Sequence, residues 1–400
     1  MSRATRASSV GSGVEREKIM KICLDARSIG PRKCGVSRYA RELIGALGRV
    51  DTYNEYIVYT RHPIQDLSLP ANFQMKATGL APMNPLHDLG MAANLRRDVP
   101  SVFHVLHAWL PVVLPTGTVT VMTLHDVFAV TDPAFFVKRR PLDGLVRAYF
   151  RWLIRRSLHR CHSVITDSHY SKSEIRRVFP TTLTPITVVH LAPFQDKSVQ
   201  AERGDVDRIG HPYVLYVGNF RGYKDVDTLI KAFALYLATS GREVSILVLA
   251  SSDSPERVQQ LALEEGISES VRVVSSPDDA TLRDLYHGAR VLVQPSLYEG
   301  FGLTPLEAMR AGVPVIVSDA ECLVEVCGDA ARVFPRRDIR ALAHELSTVL
   351  SDTQLQGSLR TAGNIQAARY SWTATALSTL QVYRAVADSG TAGPIPPNAR

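Results

Sequence analysis

Short apolar runs alternate with helix-like segments along most of this chain, and a strand followed by a crossover helix builds parallel sheet. One series opens at "KICLDA" (21–26), passes through a Gly-containing loop into the helical "SRYARELIGALGRV", and continues with "YIVYT", "VFHVLHAW", "TVTVMTLHD", "SVITDS" and "ITVVHLAP". The polar, weakly patterned "PFQDKSVQAERGDVDRIGH" interrupts it. A second series then reads "YVLYVG", "SILVLA", "VRVVS", "VLVQPS" and "PVIVSD", with helical patterns between its members. The fold class is therefore α/β: two doubly wound parallel-sheet domains whose facing sheet ends form a cleft for a ligand. A length of 400 residues agrees, since one hydrophobic core stops growing well below that size.

The same pattern sets boundaries. A Ser/Arg/Gly-rich tail over 1–19 reads as disordered, followed by a first domain over 20–198, a linker over 199–210 and a second domain over 211–370. A helix over 371–389, able to pack back on the first domain, precedes a Gly/Pro tail over 390–400. No run of eighteen apolar residues occurs and the start lacks the apolar region of a secretion signal, which predicts a cytoplasmic chain, in solution or peripheral on the inner membrane. The five cysteines, an odd number without CxxC pairing, argue against a disulfide framework and against zinc.

A formal charge of +7 favours anionic partners, and much of the excess lies in 137–160, "VKRRPLDGLVRAYFRWLIRRSLHR". Arg147, Arg151, Arg155 and Arg156 fall at helical spacing beside Leu145, Tyr149, Phe150, Trp152 and Leu153. Such a helix fits an anionic membrane surface, and equally a core helix with a solvated basic face. Nucleic acid is not indicated, because the basic residues cluster in one helix and are not spread with aromatics over a surface.

The densest motif is "YEGFGLTPLEAMRAGVPVIVSD" (298–319). Its spacing predicts a helix capped by Thr304, with Pro305 at the first helical position and Glu307 completing a capping box; Gly312 ends the helix and Pro314 opens a strand. A helix start behind a Gly-bearing loop at a strand's end suits an anion. The capping box accounts for Glu307 without any ligand. Glu299 caps nothing, and a carboxylate in that loop is placed to accept hydrogen bonds from hydroxyls.

Glu299 and Glu307, eight apart in "EGFGLTPLE", resemble the paired glutamates of retaining family 4 glycosyltransferases of the GT-B architecture, two Rossmann-like domains facing across a cleft. The surrounding forty residues are similar to that family's donor-binding segment. So are "DARSIGPRKCGVSRYARELI", "TLHDV", "VITDSHYSKSEI", "YVGNFRGYKDVDTLIKAF" and "YSWTATALSTLQVYR". Mannosyltransferase-like members that build bacterial polysaccharides are the nearest in pattern.

The resemblance implies roles. Glu299 would bind donor-sugar hydroxyls and Glu307 the ribose, while Gly300, Phe301, Gly302, Leu303 and Thr304 present their amides to the diphosphate. Arg221 and Lys224 would pair with that diphosphate, and Asn219 belongs to the same donor-binding loop. Gly35 resembles the glycine of the amino-terminal loop that approaches the donor phosphate, with Cys34 in place of a frequent second glycine. His125 would contact the donor sugar near the reaction centre. His104 and His107, at another strand end, are weaker candidates for the acceptor side.

Retaining chemistry of this kind uses no enzyme nucleophile; positioning and charge stabilisation dominate, with no metal and no cofactor. The strings Asp205-Asp207 and Asp225-Asp227 are too short to indicate a metal, and Asp225 reads as a helix cap. The expected partners are a nucleotide-diphosphate sugar, GDP-mannose first, and a saccharide acceptor, lipid-linked if the basic 137–160 segment meets a membrane. A dehydrogenase would need GxGxxG after a strand, which is absent. A non-catalytic sugar- or nucleotide-binding two-domain protein is the alternative; it would not need Arg221 and Lys224 beside an anion-binding helix start.

Overall fold

The computed structural model describes residues 19–30, 35–64, 67–81, 85–132, 143–194, 212–239 and 244–389. Its first sheet contains β1 (Lys21–Asp25), β2 (Glu55–Thr60), β3 (Phe73–Ala77), β4 (Val102–Val105), β5 (Thr120–Thr123), β6 (Ser163–Thr166) and β7 (Ile186–Val188). The second contains β8 (Tyr213–Val217), β9 (Ile246–Ser251), β10 (Val271–Ser275), β11 (Ala289–Gln294), β12 (Val315–Ser318) and β13 (Arg332–Phe334). The orders are β3-β2-β1-β4-β5-β6-β7 and β10-β9-β8-β11-β12-β13. Every strand pair is parallel.

Both orders carry one reversal, beside the first strand of the sheet, which is the doubly wound arrangement expected from the alternation. Central strands such as "TVMT" of β5 and "VIVS" of β12 are buried at every residue. That burial explains why they read as unbroken β-branched and apolar runs: helices cover both faces of a parallel sheet.

The helices of the first sheet are α1 (Gly35–Val50), α2 (Pro85–Asp98), α3 (Phe128–Thr131), α4 (Asp143–Leu158) and α5 (His169–Val178). Those that follow are α6 (Val226–Thr239), α7 (Glu256–Glu264), α8 (Asp279–Gly288), α9 (Leu303–Arg310), α10 (Glu321–Cys327), α11 (Ile339–Ser351), α12 (Thr353–Ala368) and α13 (Trp372–Ser389). The last of these crosses back and packs on α1 and β4. Trp372 and Tyr383 are its fully buried anchors.

His104 corrects an expectation. It is wholly buried in β4, with Nδ1 2.6 Å from the Tyr383 hydroxyl and Nε2 2.8 Å from Thr123 Oγ1, so both ring nitrogens are occupied in holding α13 against the sheet. Burial pushes its pKa down to about 3. Its two ring nitrogens are thus already committed to protein partners. The tails, the linker residues 199–210, Cys34, and the pair Asp205 and Asp207 lie outside the described residues. The other four cysteines are free and buried, and no described helix is long and apolar enough to cross a membrane.

Candidate functional site

Parallel strands end on one side of their sheet, so the residues that follow them share an edge. The edges of the two sheets meet around a cavity of about 280 Å³. The first sheet supplies His125 and Asp126 after β5, Asp167 after β6, and Gly35 and Tyr39 from the start of α1. The second supplies Lys224, Gln294, Glu299 and the turn from Gly300 to Pro305.

On the first side His125 Nδ1 lies 2.7 Å from Asp167 Oδ2. A carboxylate only accepts, so Nδ1 carries the proton and Nε2 is left as the working nitrogen. That Nε2 is buried with no hydrogen-bond partner among the described residues. Burial alone would depress the imidazole pKa, but the charge and hydrogen bond of Asp167, with a smaller contribution from Asp126, raise it above the usual histidine value. The Tyr39 ring meets the imidazole edge-on at 4.6 Å and fixes its plane.

On the second side Lys224 Nζ contacts Glu299 Oε1 at 2.5 Å, and the same oxygen accepts from Ser296 Oγ (2.7 Å) and Gln294 Nε2 (2.9 Å). Glu299 caps nothing, as its position predicts, yet three local groups hold it, all through one oxygen. Burial works against the Lys224 charge, yet Glu299 and the nearby Tyr223 outweigh it and raise the ammonium pKa. Lys224 is therefore held as the ammonium, and only 13% of each side chain is exposed.

The capping box does not form. Helix α9 begins at Leu303, its cap is Gly302 at φ 105° in the left-handed region, and no side chain closes that cap. A Cβ on Gly302 would also stand 2.9 Å from Leu323 Cδ2, so glycine is required twice over. Starting the helix there puts Thr304 and Pro305 inside the first turn, where proline's missing N–H is harmless, and puts Glu307 too deep to reach the cap. Glu307 Oε2 instead accepts from the Tyr286 hydroxyl at 2.5 Å, and Oε1 is buried without a partner among the described residues. Burial pushes its pKa up to about 7, against the lowering effects of Tyr286 and Arg38.

Of the sequence-derived residues, Gly35, His125, Lys224, Glu299, Gly300, Phe301, Gly302, Leu303 and Thr304 line the one cavity. Glu307, Arg221 and Asn219 do not; the Arg221 N–H donates to Asn219 Oδ1 at 3.1 Å within the loop after β8. His107 is buried, 3.5 Å from Asp25, which is ion-paired with Arg27 at 2.7 Å. Asp225 precedes α6 and bonds Thr228 through its side chain.

Four polar members were missed: Asp126, Asp167, Gln294 and Tyr39. Asp167 and Gln294 each carried a readable signal, a polar side chain at the end of an unbroken apolar strand. A further group, His169, His190 and Glu325, brings three metal-ligand atoms within 4.8 Å of one another. The Glu325 oxygens, however, accept from the amides of His169 (2.8 Å) and Tyr170 (2.9 Å), so this carboxylate has a structural occupation as a cap for α5.

Comparison with known proteins agrees with this geometry. A family model described as "Glycosyltransferase Family 4" matches residues 34–192, and one described as "Glycosyl transferases group 1" matches residues 202–366. The chain is 29% identical over 306 residues to the O-antigen chain mannosyltransferase B of Escherichia coli, an alignment covering 75% of this chain and 78% of that protein. Its fold matches sucrose-phosphate synthase from Thermosynechococcus elongatus with a TM-score of 0.71 at 20% identity, over 92% of this chain and 100% of that one. It likewise matches WaaG, a glycosyltransferase involved in lipopolysaccharide biosynthesis, with a TM-score of 0.70 at 17% identity, over 91% of this chain and 99% of that one. With two doubly wound sheets facing across a cavity and family matches on both, this chain belongs to the family 4 glycosyltransferases of GT-B architecture.

Proposed function

We propose that this glycosyltransferase moves mannose, with retention of configuration, from a nucleotide-diphosphate donor, GDP-mannose first, to a saccharide acceptor in bacterial polysaccharide synthesis. The observation that carries the reading is the pairing across one cavity of an orphaned His125 Nε2 with an ionised Lys224 beside the α9 start. Lys224 and the amides of Phe301 to Thr304 form the positive wall for a diphosphate, and they stabilise the charge that grows as the sugar departs. Glu299, held through Oε1, offers Oε2 to donor hydroxyls. His125, oriented by Asp167, takes its missing partner from the sugar near the bond that breaks. The departing phosphate accepts the acceptor's proton on the same face, so the enzyme supplies position and charge and no nucleophile.

The acceptor reading rests on α4. Phe150, Leu153 and Ile154 face the core, whereas Leu145, Tyr149 and Trp152 are exposed beside exposed Arg151 and Arg155. The Tyr149 and Trp152 rings stack at 5.9 Å. An aromatic, cationic face of this kind suits the interface of an anionic bilayer and favours a lipid-linked saccharide over a soluble one.

Thermal unfolding in the presence of a nucleotide-sugar panel tests the donor. A ligand at a hundred times its Kd adds about 2.7 kcal/mol of stability, a shift of several degrees. GDP and GDP-mannose should give the largest shifts; no shift with any nucleotide or nucleotide sugar defeats the proposal. Co-sedimentation with vesicles containing anionic lipid tests α4, and equal binding by the wild type and a Tyr149→Ser, Trp152→Ser variant would refute the membrane reading.

A further inference from the structure

The peptide between Gly300 and Phe301 belongs to the proposed donor loop of the second sheet, yet it is held by the first. Ser168, the cap of α5, donates its hydroxyl to the Gly300 carbonyl at 2.8 Å, and Ser171 donates to the same oxygen at 2.9 Å. The Ser168 oxygen meanwhile accepts from the Ser171 N–H at 3.0 Å, so one short turn of α5 fixes both hydroxyls. Both serines are fully buried. From the other direction Glu325 of α10 accepts the first two amides of α5, placing a carboxylate on a helix N-terminus. With the Cys322 thiol donating to Ser168 Oγ at 3.6 Å, five hydrogen bonds thus join the start of α5 to the second sheet's domain, and two of them end on one carbonyl.

That carbonyl matters because a trans peptide directs its C=O and its N–H to opposite sides. Pinning Gly300 C=O toward α5 turns the Phe301 N–H away from α5, and both Gly300 and Phe301 line the cavity. Neither Ser168 nor Ser171 lines that cavity, so their reach to it is through this peptide. We propose that Ser168, Ser171 and Glu325 form a positioning latch: contact between the two domains at α5 sets the orientation of a donor-loop amide, so that the diphosphate site is complete only when the domains are engaged. The catalytic significance of the latch rests on the glycosyltransferase reading above.

The full-length protein tests it in two arms. In the first, without any ligand, amide hydrogen exchange is followed over Phe301 to Thr304. Ser168→Ala combined with Ser171→Ala should speed exchange there by at least about tenfold while the strands of both sheets keep their protection. Unchanged exchange in the loop overturns the latch whether or not a nucleotide binds, and so is separate from failure of the donor panel. In the second arm, the double variant should lose about 10–100-fold in kcat with the KM for acceptor unchanged, the scale expected of a misplaced site. Glu325→Gln, which keeps one acceptor oxygen, should fall between the wild type and Glu325→Ala. Wild-type kcat in both the serine and the Glu325→Ala variants overturns the proposal, and the half-buried Glu325 supplies a readout if loss of two buried hydroxyls prevents folding.

Discussion

The two walls of the cavity solve the problem of a buried charge pair differently. On the first sheet's side, His125 and Asp167 share one hydrogen bond and leave His125 Nε2 and Asp167 Oδ1 without partners among the described residues. On the second side, Lys224 and Glu299 are tied to each other and Glu299 also to Gln294 and Ser296. A satisfied cluster is part of what holds the loop in place; an unsatisfied one is stable only because the surrounding fold over-determines it. The difference assigns stability to the Lys224 side and demand for a ligand to the His125 side.

Cutting the satisfied pair should give the largest effect. Lys224→Ala leaves Glu299 buried beside no cation and should destabilise the protein by about 3–5 kcal/mol as well as abolish transfer. Lys224→Met with Glu299→Gln should recover most of the stability and none of the activity. Urea unfolding and a transfer assay on the three proteins decide it; a double variant as unstable as the single one would mean the pair is not acting as a unit. The unsatisfied side should lose activity more than stability. His125→Ala is expected to lower kcat by about 10²–10³-fold and, because it takes the hydrogen-bond donor from buried Asp167, to cost about 1–3 kcal/mol, less than Lys224→Ala. Asp167→Asn should cost less activity than His125→Ala, and equal losses would make Asp167 more than an orienting group.

Much of this was legible in the chain. The alternation of apolar runs revealed every described strand but β3 and β13, since strands buried on two faces leave an unbroken apolar signature, whereas these two edge strands are only partly buried. Glu299, Lys224, His125 and the Gly300 to Thr304 turn were legible because each follows such a strand. Asp167 follows one too, at the end of "SVITDS", and was not singled out. What the sequence hid depends on the third dimension. His104 looked like a strand-end histidine, but α13, about 280 positions later, covers it. The capping box failed because a local motif, T-P-L-E, was preceded by a glycine free to take φ 105°, and the turn into α9 used that freedom first.

Gly302→Ala tests that last point and should cost about 3 kcal/mol, combining the left-handed backbone penalty with the overlap against Leu323. Adding Leu323→Ala removes the overlap and leaves only the backbone part, so the double variant should lose less than the sum of the two single losses. Strict additivity, measured by urea unfolding, would show that Leu323 does not press on this turn.

The smallest effect concerns Glu307, which α9 carries against Tyr286 and away from the cap. Its folded pKa is about 7, above the ordinary glutamate value of 4.5, with burial as the chief cause. Between those two values the folded protein holds a proton that the unfolded chain has released, so stability falls as pH rises through the interval. Glutamine has the shape of the protonated form and does not titrate. Glu307→Gln should therefore match the wild type near pH 5 and exceed it by about 2 kcal/mol at pH 8, the full linkage being reduced by Arg38 and by solvent. Urea unfolding at the two pH values gives the comparison directly. A difference that stays constant from pH 5 to 8 would mean that Glu307 is ionised throughout, as a carboxylate closing a helix cap would be, and would return the capping box to this segment.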